Sequence, residues 1–107
     1  MPFPFVEQDE ERVRPALVVS ARRLGVDGDL FWALMITSSK GREMWPGDIL
    51  LGDDHASYGL PVPCFIRTAK LSTLSIAKVE RQLGQLSDAL FDEVKRTMAD
   101  RLQLDRV

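Results

Sequence analysis

Short apolar runs separated by turn residues constrain the fold of the first 86 residues more than any other feature. The run at residues 30–37 (LFWALMIT) is nearly continuous, and it is rich in aromatic and aliphatic side chains. A run of roughly four to eight such residues is too short for a typical helix and is characteristic of a buried β-strand. We therefore predict a central strand at residues 30–37, with Trp32 in the core.

Other short strands are predicted along the same part of the chain. Residues 1–5 (MPFPF) have the pattern of the end of a strand, and residues 7–12 (EQDEER) are polar enough to form a loop. The remaining predicted strands lie at residues 14–20, 48–51, 62–69 and 79–83, and a loop is predicted at residues 55–61. Strands at this close spacing favour a small, strongly bent antiparallel sheet or barrel.

The C-terminal part of the chain has a different periodicity, which predicts a helix. Ser87 is suited to cap its N-terminus. Apolar residues then recur at helical spacing, and this core stripe consists of Leu90, Phe91, Val94, Met98 and Leu102. A length of 107 residues corresponds to a single domain, so we predict one mainly β domain with an α-helix packed against it, over residues 1–107.

Composition and charge exclude several classes of function. The net charge of −2 argues against broad, non-specific affinity for nucleic acid. Binding of RNA would need a local basic patch, for which the candidates are Arg12, Arg14, Arg22, Arg23, Lys40 and Arg42; the alternative is that these are solvated surface charges. No apolar run reaches the roughly 18 residues of a membrane span, and the acidic N-terminal segment is unlike a signal peptide. We therefore expect a cytoplasmic protein without membrane contact.

Reactive and metal-binding motifs are also absent. The chain has one histidine and one cysteine, and it lacks the HExxH, Walker and GxGxxG motifs. Asp53, Asp54 and His55 are adjacent after a glycine, a pattern that is more typical of a turn than of a metal site. Cys64 lies in an apolar strand and is predicted to be a buried, inert thiol. We expect neither a metal nor a cofactor.

Two arginines and a threonine lie at strand ends and could form an anion site. Arg14 precedes Pro15, which has no backbone N–H, so this pair is expected at a strand start or a sheet edge. Arg67 interrupts an apolar strand, which is unexpected for a charge unless that face of the strand is open. With Thr37, the arginines could hold a phosphate by charge and forked hydrogen bonds. The alternative is that both arginines pair with carboxylates such as Asp9 or Glu11.

The chain resembles the MazF/PemK (Kid) toxins of type II toxin–antitoxin systems. The resemblance covers nearly the whole chain in the right order, and its blocks are PFPF, RPALVVS, MITSS, WPGDILLGD, GLPVPCFIRTAKLSTLS and LGQLSDALFDEV. It implies a homodimer of small SH3-like (CcdB/MazF-type) antiparallel β-barrels, each with a C-terminal helix. It also implies a metal-independent, sequence-specific endoribonuclease that acts on single-stranded RNA and is neutralised by a cognate antitoxin.

The resemblance also implies roles for individual residues. The family's arginine before proline corresponds to Arg14, its threonine after the central strand to Thr37, and the PemK-type arginine to Arg67. The ribose 2′-OH is expected to attack phosphorus and leave 2′,3′-cyclic phosphate and 5′-OH ends, with the two arginines offsetting the charge of the phosphorane. An arginine has a high pKa and keeps its proton, so it is a poor proton donor and cannot readily accept another proton. Asp9 or Glu10 is therefore the better candidate for the general base. Residues expected to bind RNA are Arg12, Ser38, Lys40 and Trp45, although the loop tryptophan is at least as well suited to packing or to a subunit contact.

Three departures from the family pattern leave alternatives open. The chain begins near the family's PFPF block, so a truncated first strand is expected. Ala69 stands where PemK-type members carry an aspartate, and the acidic loop at residues 7–11 is short. These departures motivate a degenerate dimer that binds antitoxin or RNA without cleaving. A CcdB-like gyrase inhibitor is a further alternative, against which the arginine–proline and threonine blocks argue.

Overall fold

The computed structural model describes residues 4–8 and 14–103. Its strands are β1 (Pro4–Gln8), β2 (Arg14–Val18), β3 (Leu30–Ser38), β4 (Asp48–Leu51), β5 (Cys64–Ser75) and β6 (Val79–Gln85). Short 3₁₀ helices lie at Asp53–Tyr58 and Ile76–Lys78, and the helix α1 spans Asp88–Leu102. The prediction of a mainly β chain with one C-terminal helix is confirmed.

The six strands form one antiparallel sheet in the order β4-β5-β3-β2-β1-β6. β4 and β6 lie at opposite edges of this sheet, and within the described residues no strand pairing joins them. An antiparallel sheet is therefore observed, whereas closure of the sheet into a barrel is not. No helix in the described part of the chain has the length and apolar character needed to span a membrane.

The position of Pro15 explains how β2 enters the sheet. Pro15 is opposite Glu7 of β1, but the pairing of β2 with β3 begins only one residue later, at Ala16. Proline has no N–H to offer to a second neighbour, so Arg14 and Pro15 occupy the strand start, as predicted. The predicted loop at residues 7–12 is wrong for Glu7 and Gln8, because both pair with β2.

Two other boundaries differ from the predictions. β5 runs from Cys64 to Ser75, so it starts after Pro63 and continues six residues beyond the predicted end at residue 69. The predicted loop at residues 55–61 instead overlaps the 3₁₀ helix Asp53–Tyr58, which ends at Gly59 with a left-handed φ of 79°. His55 belongs to this helix, and its Nδ1 lies 2.8 Å from the carbonyl oxygen of Leu60, to which a protonated Nδ1 donates.

Alternation along the strands divides the apolar residues between two cores. The larger core contains Leu17, Leu34 and Ile66 of the sheet and Val94 of α1. The smaller core is formed by Ala16, Phe31 and Ala33, with partly buried Val18, Met35, Leu74, Ile76 and Val79 packed against it. Neighbouring residues of β2 and β3 thus pack on opposite faces, as the two-residue period of a strand requires.

The helix is capped as predicted but buries less than its apolar stripe suggests. Ser87 Oγ accepts a hydrogen bond from the backbone N–H of Leu90 at 3.4 Å. Val94 is buried, whereas Leu102 is 62% exposed and so does not belong to the core. The prediction of Trp32 as a core residue is also wrong, because its side chain is 47% exposed. Trp32 lies near the start of β3 and lines a groove together with residues of α1.

Candidate functional site

A cleft of about 380 Å³ lies where the start of β2, the end of β3 and the middle of β5 meet. Its lining consists of Arg14, Pro15, Met35, Ile36, Thr37, Ser38, Arg42, Arg67 and Lys70. Four of these side chains are basic, and among the described residues no carboxylate lines the cleft. Such a concentration of positive charge in a concave site favours an anionic ligand.

Strand register brings three of the four predicted catalytic residues to this cleft; the fourth, Asp9, lies outside the described residues. β2 pairs with β3 through Ala16 and Met35, so the start of β2 lies beside the end of β3. β3 pairs with β5 through Met35 and Arg67. Arg14, Thr37 and Arg67 are far apart in sequence, and the antiparallel pairing of three successive neighbours in the sheet places all of them in one lining.

A bulge in β5 brings a further lysine to the cleft. Leu34 of β3 pairs with Leu71, but the next residue, Met35, pairs with Arg67, so residues 68–70 of β5 have no partners in the β3 register. An irregularity of this kind redirects side chains locally. Lys70 lines the cleft, and sequence reasoning missed it because no glycine or proline marks the bulge.

Arg67 is buried and held by three groups of the opposite segment. Its Nε lies 3.3 Å from Asp48 Oδ2, and its Nη2 donates to the carbonyl oxygen of Glu43 at 2.7 Å. The guanidinium carbon stacks 3.7 Å from the centroid of the Trp45 ring. β4 and β5 place Asp48 directly opposite Arg67, so this charge is buried and paired with a carboxylate instead of lying on an open face. Asp9 and Glu11, the carboxylates named for such a pairing, lie outside the described residues.

The turn that carries Trp45 is fixed at several points. The backbone N–H of Trp45 donates to Asp48 Oδ2 at 2.8 Å, and Thr68 Oγ1 donates to the carbonyl oxygen of Gly47 at 2.8 Å. Arg101, near the end of α1, donates through Nη2 to the carbonyl oxygen of Pro46 at 2.5 Å. The Trp45 ring is 37% exposed and also contacts the ammonium group of Lys70, 5.5 Å from its centroid. Trp45 is not among the residues that line the cleft, but its ring contacts two residues that are, Arg67 and Lys70.

The remaining predicted site residues have different outcomes. Ser38 lines the cleft, and Arg42, a member of the proposed basic patch, does so as well. Lys40 is exposed and does not line it. Arg22 and Arg23 line a separate pocket next to the smaller core. The two predicted acidic bases, Asp9 and Glu10, lie outside the described residues, as do Glu11 and Arg12.

The cysteine lies at the start of β5 and is buried, as predicted. Its Sγ donates to the carbonyl oxygen of Val62 at 3.2 Å. Burial raises the pKa of the Cys64 thiol above its ordinary value of 9.0. A raised pKa keeps the thiol protonated near neutral pH, and a protonated thiol is a poor nucleophile.

Comparison with known proteins identifies the family. Residues 1–102 match the family model described as PemK-like, MazF-like toxin of type II toxin–antitoxin system. The chain belongs to this toxin family. No curated protein sequence matches it at a significant level.

Solved structures support the same fold for this PemK/MazF-like chain. It is similar to the Mycobacterium tuberculosis toxin MazF-mt6, with a TM-score of 0.74 at 17% identity over 94% of this chain and 96% of that one. An endoribonuclease in complex with its cognate antitoxin, from a mycobacterial species, gives a TM-score of 0.74 at 19% identity over 94% and 92% of the two chains. The MazE–MazF structure from Deinococcus radiodurans gives 0.72 at 20% identity over 92% and 90%.

Proposed function

We propose that this PemK/MazF-like chain inhibits growth as a metal-independent, sequence-specific endoribonuclease on single-stranded RNA. The observation that carries the proposal is the cleft in which Arg14, Thr37 and Arg67 lie together with Arg42 and Lys70. The RNA backbone is a chain of phosphates, so a local concentration of basic side chains provides affinity that the overall net charge of −2 does not.

The proposed reaction is an internal transesterification. The 2′-oxygen forms a bond to the adjacent phosphorus while the bond from phosphorus to the 5′-oxygen breaks. A general base takes the proton of the 2′-OH, and the departing 5′-oxygen takes a proton from water to become a 5′-OH. The products are a 2′,3′-cyclic phosphate and a 5′-OH, and no metal ion is required for the balance of atoms.

Three of the cleft residues have a proposed role in this reaction. Arg14 and Arg67 stabilise the additional negative charge that develops on the phosphorane oxygens. Thr37 donates a hydrogen bond to a phosphate oxygen, and Ser38 lies next to it. Asp9 remains the candidate base, with Glu10 as its neighbour in sequence, because no carboxylate of the described residues lines the cleft.

The Trp45 ring is suited to stacking on a base. It is partly exposed, and it stacks on Arg67, which lines the cleft. Stacking of a base on an aromatic ring contributes about 1–3 kcal/mol and tolerates any base. Arg12 and Lys40 would then contact phosphates beyond the cleft.

The proposed partners are a second copy of the chain and a cognate antitoxin that neutralises it in the cytoplasm. Support for the antitoxin comes from two similar structures, a mycobacterial endoribonuclease and a Deinococcus MazF, each solved with its antitoxin. We place residues 1–107 in a single toxin domain.

We also propose that the sheet closes as an SH3-like barrel through the segment after β4. The 3₁₀ helix Asp53–Tyr58 packs on β6: a Cβ added at Gly84 would lie 2.7 Å from the carbonyl oxygen of Tyr58. A Cβ added at Gly59 would likewise collide with the backbone of Leu83. This close approach of two backbones bridges the two edge strands of the sheet.

Incubation of the purified protein with a long single-stranded RNA in EDTA tests the function. The proposal predicts discrete fragments whose 5′ ends are labelled by polynucleotide kinase without prior phosphatase treatment, since they carry 5′-OH groups. Intact RNA, or cleavage that EDTA abolishes, would contradict it.

One observation favours a second candidate, a toxin-like protein that binds antitoxin or RNA without cleaving. The charge of Arg67 is partly neutralised by Asp48, which leaves less of it for a phosphate. Intact RNA in the same assay, together with a tight complex with the antitoxin, would support this candidate. Stabilised DNA–gyrase cleavage would instead support a CcdB-like activity.

A further inference from the structure

The ion pair between Arg67 and Asp48 is almost completely removed from water. The Asp48 side chain is 0% exposed and that of Arg67 is 10% exposed. Burying two charges is expensive, and a buried pair is often no more stabilising than apolar side chains of similar size. Stability alone therefore gives a weak reason for Asp48 to occupy this position.

The contacts of Arg67 define the orientation of its guanidinium. Nε faces Asp48 Oδ2 at 3.3 Å, Nη2 donates to the Glu43 carbonyl oxygen at 2.7 Å, and the Trp45 ring covers one face at 3.7 Å. Asp48 contributes twice, because the same Oδ2 also accepts the Trp45 N–H and so holds the stacked ring. Arg67 is also one of the residues that line the cleft, so these contacts fix a charged side chain at the cleft wall.

The pair itself is incompletely hydrogen-bonded. Asp48 Oδ1 and Arg67 Nε are buried, and among the described residues neither atom has a hydrogen-bond partner. Nε lies 3.3 Å from Asp48 Oδ2, which meets the distance condition of an ion pair but not the geometry of a hydrogen bond. Asp48 therefore fixes Arg67 mainly by charge and position, and its effect should depend on the carboxylate charge rather than on a single hydrogen bond.

We propose that Asp48 is a positioning residue for RNA cleavage, which holds the Arg67 guanidinium in a fixed place beside the cleft. This inference rests on the proposed function. Asp48 lowers the positive charge near the cleft, so it cannot act by attracting RNA. Its removal should leave RNA binding as strong or stronger, because one negative charge is lost, while cleavage slows because Arg67 is no longer held in place.

Asp48→Asn is the main test variant. It is nearly isosteric, removes the charge, and keeps an oxygen that can accept the Trp45 N–H. Asp53→Asn is the matched control, because Asp53 is exposed, lies just after β4 and changes the net charge by the same amount. Asp48→Ser, which can also accept the Trp45 N–H, replaces Asp48→Asn if that variant does not fold.

Steady-state cleavage of an RNA oligonucleotide that contains a mapped cleavage site separates KM from kcat. For Asp48→Asn we expect kcat to fall roughly 10- to 100-fold, with KM unchanged or lower. Losses of this size are typical when a residue that orients a functional side chain is removed, as is known for the partners of metal ligands. Asp53→Asn should retain wild-type values. In an Arg67→Gln background, Asp48→Asn should have no further effect on kcat, because the residue that it positions is absent.

A measurement without RNA separates this inference from the proposed function. In NMR spectra of protein labelled with ¹⁵N-arginine, the Arg67 Nε–Hε group of the wild type should give a distinct, slowly exchanging resonance. In Asp48→Asn or Asp48→Ser it should move toward the position and exchange rate of solvated arginines. If the wild type cleaves no RNA, the proposed function fails, and this spectrum still decides whether Asp48 positions Arg67.

Three results would overturn the inference. The first is an unchanged Arg67 resonance in a folded Asp48 variant. The second is a wild-type kcat in Asp48→Asn while Arg67→Gln is impaired. The third is an equal loss of kcat from Asp48→Asn in the wild-type and Arg67→Gln backgrounds, which would assign Asp48 a role independent of Arg67.

Discussion

Two concavities of the same volume lie on this small protein, and their linings are opposite in character. The cleft beside the start of β2 measures about 380 Å³ and carries four basic side chains. A groove beside α1 also measures about 380 Å³. Its lining is apolar apart from one lysine and consists of Val19, Trp32, Leu71, Phe91, Val94, Lys95, Met98, Ala99 and Leu102.

Two strands, β3 and β5, contribute residues to both linings. β3 contributes Trp32 near its start to the groove and Thr37 near its end to the cleft. In β5 the consecutive residues Lys70 and Leu71 lie at the end of the bulge, one lining the cleft and the other the groove. Volume therefore says little about ligand class in this fold, and it is the charge of the lining that supports the proposal of the cleft as the phosphate site.

The largest effect is expected for Arg14→Ala, which removes a positive charge from the cleft. Loss of one group that stabilises transition-state charge typically slows a reaction by roughly 100- to 1,000-fold. Single-turnover RNA cleavage measures this change, and the melting temperature should stay within a few degrees of the wild type. Arg22→Ala is the control, since Arg22 is exposed and lies outside the cleft. A folded Arg14→Ala protein with full activity would exclude the assigned role.

A second prediction concerns the support of the cleft. Gly47 has a left-handed φ of 86°, and a Cβ there would lie 2.8 Å from Thr68 Oγ1 and collide with the Arg101 guanidinium. Gly47→Ala should therefore lower the free energy of unfolding by about 2–4 kcal/mol, from backbone strain and steric overlap together.

Gly41 provides the matched control for that substitution. Its φ is 68°, but no atom lies within 4 Å of the added Cβ. Gly41→Ala should lower the free energy of unfolding by only about 1–2 kcal/mol, the strain contribution alone. Urea denaturation of both variants measures the difference, and equal losses would show that the contacts of the Trp45 turn add nothing.

On the groove side, stability rather than RNA cleavage should respond to substitution. Val94 is buried, so Val94→Ala should lower the free energy of unfolding by about 1–3 kcal/mol. Leu102→Ala, in the same groove but 62% exposed, should stay within about 0.5 kcal/mol of the wild type. Both folded variants should cleave RNA at the wild-type rate. Slower cleavage by the Leu102 variant would link the groove to catalysis.

A pair of lysines compares the two regions directly. Lys70 lines the cleft and Lys95 lines the groove. If Lys70 contacts a phosphate, Lys70→Ala should reduce the slope of log affinity against log salt by about 0.7 for single-stranded RNA, and Lys95→Ala should leave the slope unchanged. Fluorescence anisotropy of a labelled, 2′-O-methylated oligonucleotide gives these slopes. Equal slopes for the two variants would contradict the prediction that Lys70 contacts a phosphate.

The smallest effect is expected from Cys64 and pH. Burial raises the pKa of this thiol above 9.0, so above that pH the unfolded chain loses the proton while the folded chain keeps it. The contribution of the thiol to stability is therefore fully present below the unfolded pKa and is lost as pH rises through the folded pKa. Denaturation of the wild type and Cys64→Ala across this alkaline range should show a steeper decline for the wild type.

Local patterns in the sequence predict most of the fold. The two-residue and helical periods identified the strands around residues 14–20, 30–37 and 48–51 and the helix capped by Ser87. The chemistry of a single residue also gave a correct prediction. Pro15 has no backbone N–H, and it lies at the start of β2 as expected. The resemblance assigned Arg14 and Thr37 to one site, and the strand register brings them into one lining.

Features that depend on partners distant in sequence could not be predicted in the same way. Asp48 pairs with Arg67 because β4 and β5 are neighbours in a particular register, and no local pattern specifies that register. The bulge that brings Lys70 to the cleft contains no turn residue. Trp32 lies in an apolar run yet is half exposed, because the burial of a strand residue depends on which distant segments pack over it and no local pattern specifies them.

We propose that phosphate binds in the basic cleft and not in the apolar groove. An NMR titration of the ¹⁵N-labelled protein with the cleaved RNA sequence, made resistant by a 2′-O-methyl group at the cleavage position, tests this. We expect the largest backbone amide shifts to cluster at Thr37, Ser38 and Lys70, with little change at Met98 and Leu102. Shifts that cluster along α1 and spare the end of β3 would contradict it.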